Sequence, residues 1–305
     1  MRFGEVTLYP VNGHGPEDVV VDAEGRVYTG VDDGRILRLS PDGQRIDVIA
    51  DTGGRPLGLE LYGEDELLIC DARAGLLVVP LAGGSPSVLA TSALGLDFVF
   101  CNNAAVAADG TIYFTDSSRR FGIDNWRDDL IEQTAGGRLL RRSPDGSIDL
   151  LRDGLEFANG VALAPDESFV AVAETGACRV SRVWLSDGRS DVFADDLWGF
   201  PDNISTGTDG LIWITQASPR VAALDVARRL PGFVRAGIRR LPTSLQPRPG
   251  REVGVLGVTP EGVVSRSFRG EIPGFHMLVG VREWRGKLYF GSLEESAVAV
   301  TSAVG

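Results

Sequence analysis

Residues Asn102-Asn103-Ala104-Ala105-Val106-Ala107-Ala108-Asp109-Gly110-Thr111-Ile112-Tyr113-Phe114 hold the pattern on which the fold turns. A run of small and β-branched residues meets an Asp-Gly pair, and a second β-rich run follows. Asp and Gly tolerate the positive φ of a tight turn, so this arrangement is a strong hairpin signal. The same unit recurs in both directions along the chain. Upstream, Val19-Val20-Val21 leads through Asp22 to Gly25 into Arg26-Val27-Tyr28-Thr29. Downstream, Val161-Ala162-Leu163 runs into Pro165-Asp166-Glu167, and Ile204-Ser205-Thr206 runs through Asp209-Gly210 into Leu211-Ile212-Trp213-Ile214. Weaker copies start near Leu57 and near Leu278, the latter passing Arg285-Gly286 into Lys287-Leu288-Tyr289-Phe290. Outer strands with their own turns follow, as at Ser40-Pro41-Asp42-Gly43 and Ser143-Pro144-Asp145-Gly146.

Six copies of a four-stranded meander, roughly 40–60 residues apart, predict an all-β chain folded as a six-bladed β-propeller. Glu5 to Pro10 is expected to close the ring against the last blade, which leaves few open strand edges. No Pro/Ser-rich linker interrupts residues 1–305, so a single domain is expected. One stretch departs from the pattern. Arg220 to Leu241 (220–241) has Val221, Leu224, Val226, Leu230, Phe233, Val234 and Ile238 interleaved with arginines, and Pro231-Gly232 in the middle. This predicts a helical insertion in blade five, broken in two at the proline, with an apolar face packed on the propeller. Its arginines would be solvated or paired with acidic loops. The alternative role is a lid over the channel mouth.

The turn serves as a ruler for the innermost strand. Counting eight residues back from it gives Glu17 from Gly25, Asn102 from Gly110, Asn159 from Glu167 and Asp202 from Gly210. The two weaker copies give Leu57 and Leu278. Four blades thus place a carboxylate or amide in one phase, at the channel entrance. Glu17, Asn159 and Asp202, with Asn102 beside them, form a set of hard oxygen donors suited to a divalent metal. Calcium is the first expectation, with Mg²⁺, Mn²⁺ or Zn²⁺ as alternatives. Asp18, Asn103 and Asn203 follow the ring residues and are expected to support them. The chain has two histidines, His14 and His276, both in segments leading into a blade. Each could face the channel as a general base, and His276 is the better candidate if the chemistry needs one outside the ring.

Composition narrows the class. A net charge of −12 and a pI near 4.7 argue against general nucleic-acid or anionic-membrane binding. With 43% apolar residues, a large core can be buried. Three widely spaced cysteines without a C-x-x-C do not make a disulfide framework. Met1-Arg2-Phe3-Gly4-Glu5 has no apolar core of a signal peptide, and no long apolar run occurs, so a cytoplasmic protein without a membrane span is expected. G-x-S-x-G, H-E-x-x-H, P-loop and dinucleotide fingerprints are absent from the sequence.

The run from Phe157-Ala158-Asn159-Gly160-Val161 through Pro165-Asp166-Glu167-Ser168 and Ala173-Glu174-Thr175-Gly176 to Gly199-Phe200-Pro201-Asp202-Asn203-Ile204 resembles the strictosidine synthase-like family. That family lies within the wider superfamily of senescence marker protein, gluconolactonase and luciferin-regenerating enzyme. Gly15-Pro16-Glu17-Asp18-Val19 and Gly286-Lys287-Leu288-Tyr289-Phe290-Gly291-Ser292-Leu293 agree near the two ends. The resemblance implies a six-bladed propeller. From the lactonase branch it implies a divalent metal on Glu17, Asn159 and Asp202, with Asn102 contacting substrate. That branch reads Asn-Asp where this chain has Asn102-Asn103. The plant synthases use a glutamate in blade six and no metal; the glutamate falls at about Val279 here, and Met277-Leu278-Val279-Gly280 has no acid.

The function expected from these readings is metal-dependent hydrolysis of a lactone or small ester: a calcium-dependent lactonase or esterase acting on a small molecule. Asp202 is the proton acceptor and Asn102 orients substrate. The alternatives are a strictosidine synthase-like condensing or cyclising enzyme of secondary metabolism, with His276 as its base, and a non-catalytic binding propeller.

Overall fold

The computed structural model describes residues 1–241 and 249–303. Among them, six four-stranded antiparallel sheets follow one another along the chain as blades of a β-propeller. The innermost strands of blades one to six are Val19–Val21, Pro56–Tyr62, Cys101–Val106, Ala158–Leu163, Gly199–Thr206 and Leu278–Trp284. The second strands are Val27–Gly30, Glu66–Asp71, Ile112–Asp116, Phe169–Glu174, Ile212–Pro219 and Lys287–Ser292. As the sequence predicts, the N-terminal segment closes the ring. Thr7–Pro10 pairs antiparallel with Ala297–Ser302 and becomes the outermost strand of blade six.

The apolar runs follow from this packing. A blade is covered on both faces by its neighbours, so its second strand is buried on both sides, as Ile112–Asp116 is throughout. Among the described residues the core is accordingly divided into six clusters between adjacent blades, and a seventh, Leu57, Ala72, Phe100, Leu130 and Phe157, joins blades two to four to the α1 insertion described below. The first hairpin of blade three turns at Gly110, with φ +86°. Blade four uses Glu167 at the same place, with φ +55°. Its carboxylate repays that strain by accepting a 2.8 Å hydrogen bond from the Ala108 N–H of blade three. Cys70, Cys101 and Cys178 are buried and unpaired.

The insertion in blade five is helical and broken where Pro231-Gly232 stands: α2 spans Ala222–Arg228 and α3 spans Gly232–Ile238. A second insertion was not foreseen. Blade three carries one between its second and third strands, including α1, Trp126–Glu132. The two insertions meet. Arg228 Nε donates to the Leu130 carbonyl at 3.2 Å, and Arg239 pairs with Asp128 at 3.4 Å and with Glu132. One arginine of the blade-five insertion, Arg239, is thus paired with two acids of the other. The packed face differs from the expected one. Ala227 is buried, whereas Val226 and Phe233 are 61% and 80% exposed. Only one side of a two-turn helix can face the propeller, and Val226 falls off the 221, 224, 227 line. Among the described residues, no helix is long and apolar enough to cross a membrane.

Candidate metal centre at the channel mouth

Five of the six ruler positions stand where the count puts them: Leu57, Asn102, Asn159 and Asp202 at the irregularity that opens their innermost strands, and Glu17 just before Val19–Val21. Blade six is the exception. Its first hairpin has a two-residue turn, with Trp284 opposite Lys287, whereas blade two has three residues between Tyr62 and Glu66. The count of eight therefore oversteps by one residue, and the ring position is Val279 rather than Leu278. The hydrogen bonds agree. Thr115 Oγ1 donates to the carbonyl of Asn159 in the next blade at 2.7 Å, and Thr215 Oγ1 donates to that of Val279 at 3.2 Å. Leu278 instead joins the core between blades five and six. The ring thus reads Glu17, Leu57, Asn102, Asn159, Asp202, Val279.

The polar members are held by a relay of hydroxyls. Asn102 Nδ2 donates to Ser117 Oγ at 2.8 Å, and Ser117 Oγ donates to the Ala158 carbonyl at 2.6 Å. Asn159 Nδ2 donates to Thr175 Oγ1 at 3.1 Å, and Thr175 Oγ1 donates to the Pro201 carbonyl at 2.7 Å. A hydroxyl has one proton, and here it is committed to a backbone carbonyl of the next blade. Towards the amide it can only accept, which fixes the NH₂ on that side and turns the amide oxygen away. Asn102 Oδ1 and Asn159 Oδ1 are both buried and receive no hydrogen bond. A buried acceptor left open in this way is costly.

The two carboxylates are also unsettled. Burial pushes Glu17 well above the ordinary glutamate range, and the charges of Asp202 and Asp18 push it further. Arg55 and an amide from Asn203 Nδ2, 3.2 Å from Glu17 Oε2, pull the other way. Burial raises Asp202 to about 7, against the Asn159 amide beside it. Two adjacent carboxylates and two free amide oxygens form an all-oxygen donor set that a hard divalent cation would satisfy. It lacks the nitrogen or sulfur ligands that suit zinc. Among the described residues no group of three or more His, Cys, Asp or Glu gathers for a metal, so a cation held here would need the amide oxygens as well as the two carboxylates.

Asp18 and Asn103 bind adjacent blades together, whereas Asn203 reaches Glu17 through Nδ2 and leaves its Oδ1 buried without a donor. Asp18 Oδ2 accepts from the Leu59 N–H at 3.0 Å and Asn103 Oδ1 from the Val161 N–H at 2.9 Å, each in the following blade. Burial lifts Asp18 to about 6. Arg55, which the sequence does not flag, is buried beside Glu17 and donates to the Gly15 carbonyl at 3.0 Å. Both ring nitrogens of His276 are taken by rim carboxylates, Nε2 by Glu294 at 3.1 Å and Nδ1 by Glu295. His14 lies at the surface, 3.3 Å from Asp32.

Above Asp202 is a cavity of about 350 Å³. Asp202, Thr175, Phe200 and Met277 lie along its propeller side, and residues of α1 and α2 form its opposite wall. The segment 102–188 matches the model of strictosidine synthase, and 3–39 matches that of the strictosidine synthase-like N-terminal region. Protein strictosidine synthase-like 6 of Arabidopsis thaliana is 31% identical over 290 residues, covering 93% of this chain and 77% of that protein. The chain belongs to the strictosidine synthase-like family. Its fold is shared with solved structures of low sequence identity. A gluconolactonase from Xanthomonas campestris superposes with a TM-score of 0.71 at 18% identity, over 99% of this chain and 91% of that one. Regucalcin from Agrobacterium tumefaciens, described as a calcium-binding protein, gives 0.64 at 14% identity, over 96% and 94%. Within the strictosidine synthase-like family, this chain has valine at the ring position of blade six.

Proposed function

We propose that this member of the family is a metal-dependent hydrolase of a lactone or small ester, with calcium held by Glu17, Asn159, Asp202 and Asn102. The observation that carries the proposal is the pair of buried amide oxygens, turned from their hydroxyl partners and left without a donor beside two carboxylates. The likeness to a gluconolactonase and to a calcium-binding regucalcin supports the same reading. A bound divalent ion supplies polarisation of a carbonyl oxygen and stabilisation of the charge that develops on it. The chain supplies the rest. Asp202 opens onto the cavity, so its carboxylate is placed to take the proton of water that attacks the carbonyl carbon. The Asn102 amide, fixed by Ser117, orients the substrate. The cap of α1 and α2 limits water at the mouth.

The test is metal content after dialysis together with hydrolysis of an aryl-ester and lactone panel, with and without chelator. Glu17→Gln and Asp202→Asn should lose the metal, and Asn103→Ala should retain most of it. Equal metal content in all three variants would sink the ligand set. Hydrolysis that persists unchanged in chelator would sink the metal dependence.

A further inference from the structure

The cavity over Asp202 is built from apolar side chains. Trp126, Leu130 and Ile131 contribute from α1; Val221, Ala223, Leu224 and Ala227 contribute from α2 and the residue before it. Phe200 and Met277 lie on the propeller side. Of the described lining, only Arg127, Thr175, Asp202 and Ser218 are polar, and Thr175 spends its proton on a backbone carbonyl. A polyhydroxylated sugar lactone entering this space would lose its water partners and find few replacements, which is unfavourable for each unpaired hydroxyl. An alkyl or aryl group would lose nothing of that kind and would bury apolar surface.

We infer that the cavity takes the apolar arm of the substrate, so that the ligand class is an alkyl- or aryl-substituted lactone or ester and not a sugar lactone. The inference rests on the hydrolase reading for the reactive group but concerns the arm alone. At about 350 Å³ the space lies at the small end of the range for ligand pockets, about 300–1,000 Å³. The reactive carbonyl lies at the Asp202 end and the arm runs under α2. Ala223 and Ala227 are then specificity-determining, because a larger side chain at either one occupies the space of the arm. Two insertions, from blades three and five, are needed to make the roof; neither alone encloses the cavity.

Two measurements test this. Rates on γ-lactones carrying unbranched chains of increasing length should show kcat/KM rising about fourfold per methylene until the cavity fills. D-Gluconolactone should be much poorer than the better alkyl lactones. In parallel, 5-alkyl-2-pyrrolidinones, which are not hydrolysed as lactones are, should quench or shift Trp126 fluorescence, and Trp126→Phe should remove that signal. Ala223→Phe, at an exposed position of α2, should abolish the gain from long chains, read as the ratio of kcat/KM between the longest and the shortest lactone; Ala227→Leu is the second variant if the first misfolds. Lactam binding without hydrolysis of any lactone would overturn the hydrolase reading and uphold the ligand class. A sugar lactone preferred over every alkyl lactone, or no lactam binding at all, would overturn the ligand class.

Discussion

At the scale of single residues, the site depends on two hydroxyls whose protons are committed to backbone carbonyls of the next blade. Ser117 and Thr175 hold Asn102 and Asn159 with their oxygens turned away. Removing such a supporting hydrogen bond commonly lowers metal affinity by about 10- to 100-fold. Ser117→Ala and Thr175→Val should each do so, while Thr175→Ser should restore most of the affinity; calcium titration of the three variants checks this. A second expectation concerns pH in the metal-free protein. Asp202 is raised to about 7 in the fold, whereas an unfolded aspartate titrates near ~3.9. Its protonated form is therefore favoured by folding. The corresponding stability is fully present below ~3.9 and is lost as pH rises through about 7. In chelator, melting temperature should fall over that window, and Asp202→Asn should flatten this part of the profile. A variant with an unchanged slope would contradict the raised value. Of these residues, the sequence shows the ring but not its support. A serine and a threonine in a strand carry no local pattern that says which amide they hold. Arg55 was equally invisible, because its partners come from another blade.

The elements follow an alternation that becomes visible only once the blades are aligned. Blades one, three and five have Asp18, Asn103 and Asn203 after the ring residue; blades two, four and six have Gly58, Gly160 and Gly280. The second strands alternate in step, with Thr29, Thr115 and Thr215 against Cys70, Ala173 and Gly291. The reason is space. A Cβ on Gly160 would stand 2.2 Å from the Ile204 nitrogen and 2.5 Å from the Asn203 Cα, and one on Gly280 would stand 2.5 Å from the Glu17 carbonyl oxygen. Polar side chains that grip the next strand need a neighbour that leaves room. Gly160→Ala should thus destabilise by about 1–3 kcal/mol or more, since the clash is with backbone that cannot rotate away. Chemical denaturation measures this, and Gly237→Ala, where an added Cβ meets nothing, is the control. The hairpin ruler was legible because Asp-Gly and similar turns are local, and it slipped in blade six where the turn is one residue shorter. The blade-three insertion was missed because Trp126–Glu132 is seven residues long and its apolar face is complete only against α2 and α3.

At the scale of the whole molecule, the ring residues come from blades one, three, four and five, so an ion there would tie together parts of the propeller far apart in sequence. Ligand binding to the folded state alone at 100 times its Kd adds about 2.7 kcal/mol. For a domain of this size that is a rise in Tm of roughly 5 °C. Adding calcium to the chelated protein should produce it, and Glu17→Gln should not respond. The net charge of −12 favours cation uptake in the same direction. The closure of the ring has a consequence in time. Thr7 pairs with Val300, and Pro10 with Ala297, so this strand is synthesised long before the one it pairs with. At about 5–20 residues per second, synthesis takes roughly 15–60 s to supply the partner. During that interval five blades can form in order, each covering the one before, while Thr7–Pro10 stays without its sheet. It is short and ends in proline, which makes it a poor template for pairing with another nascent chain while it waits.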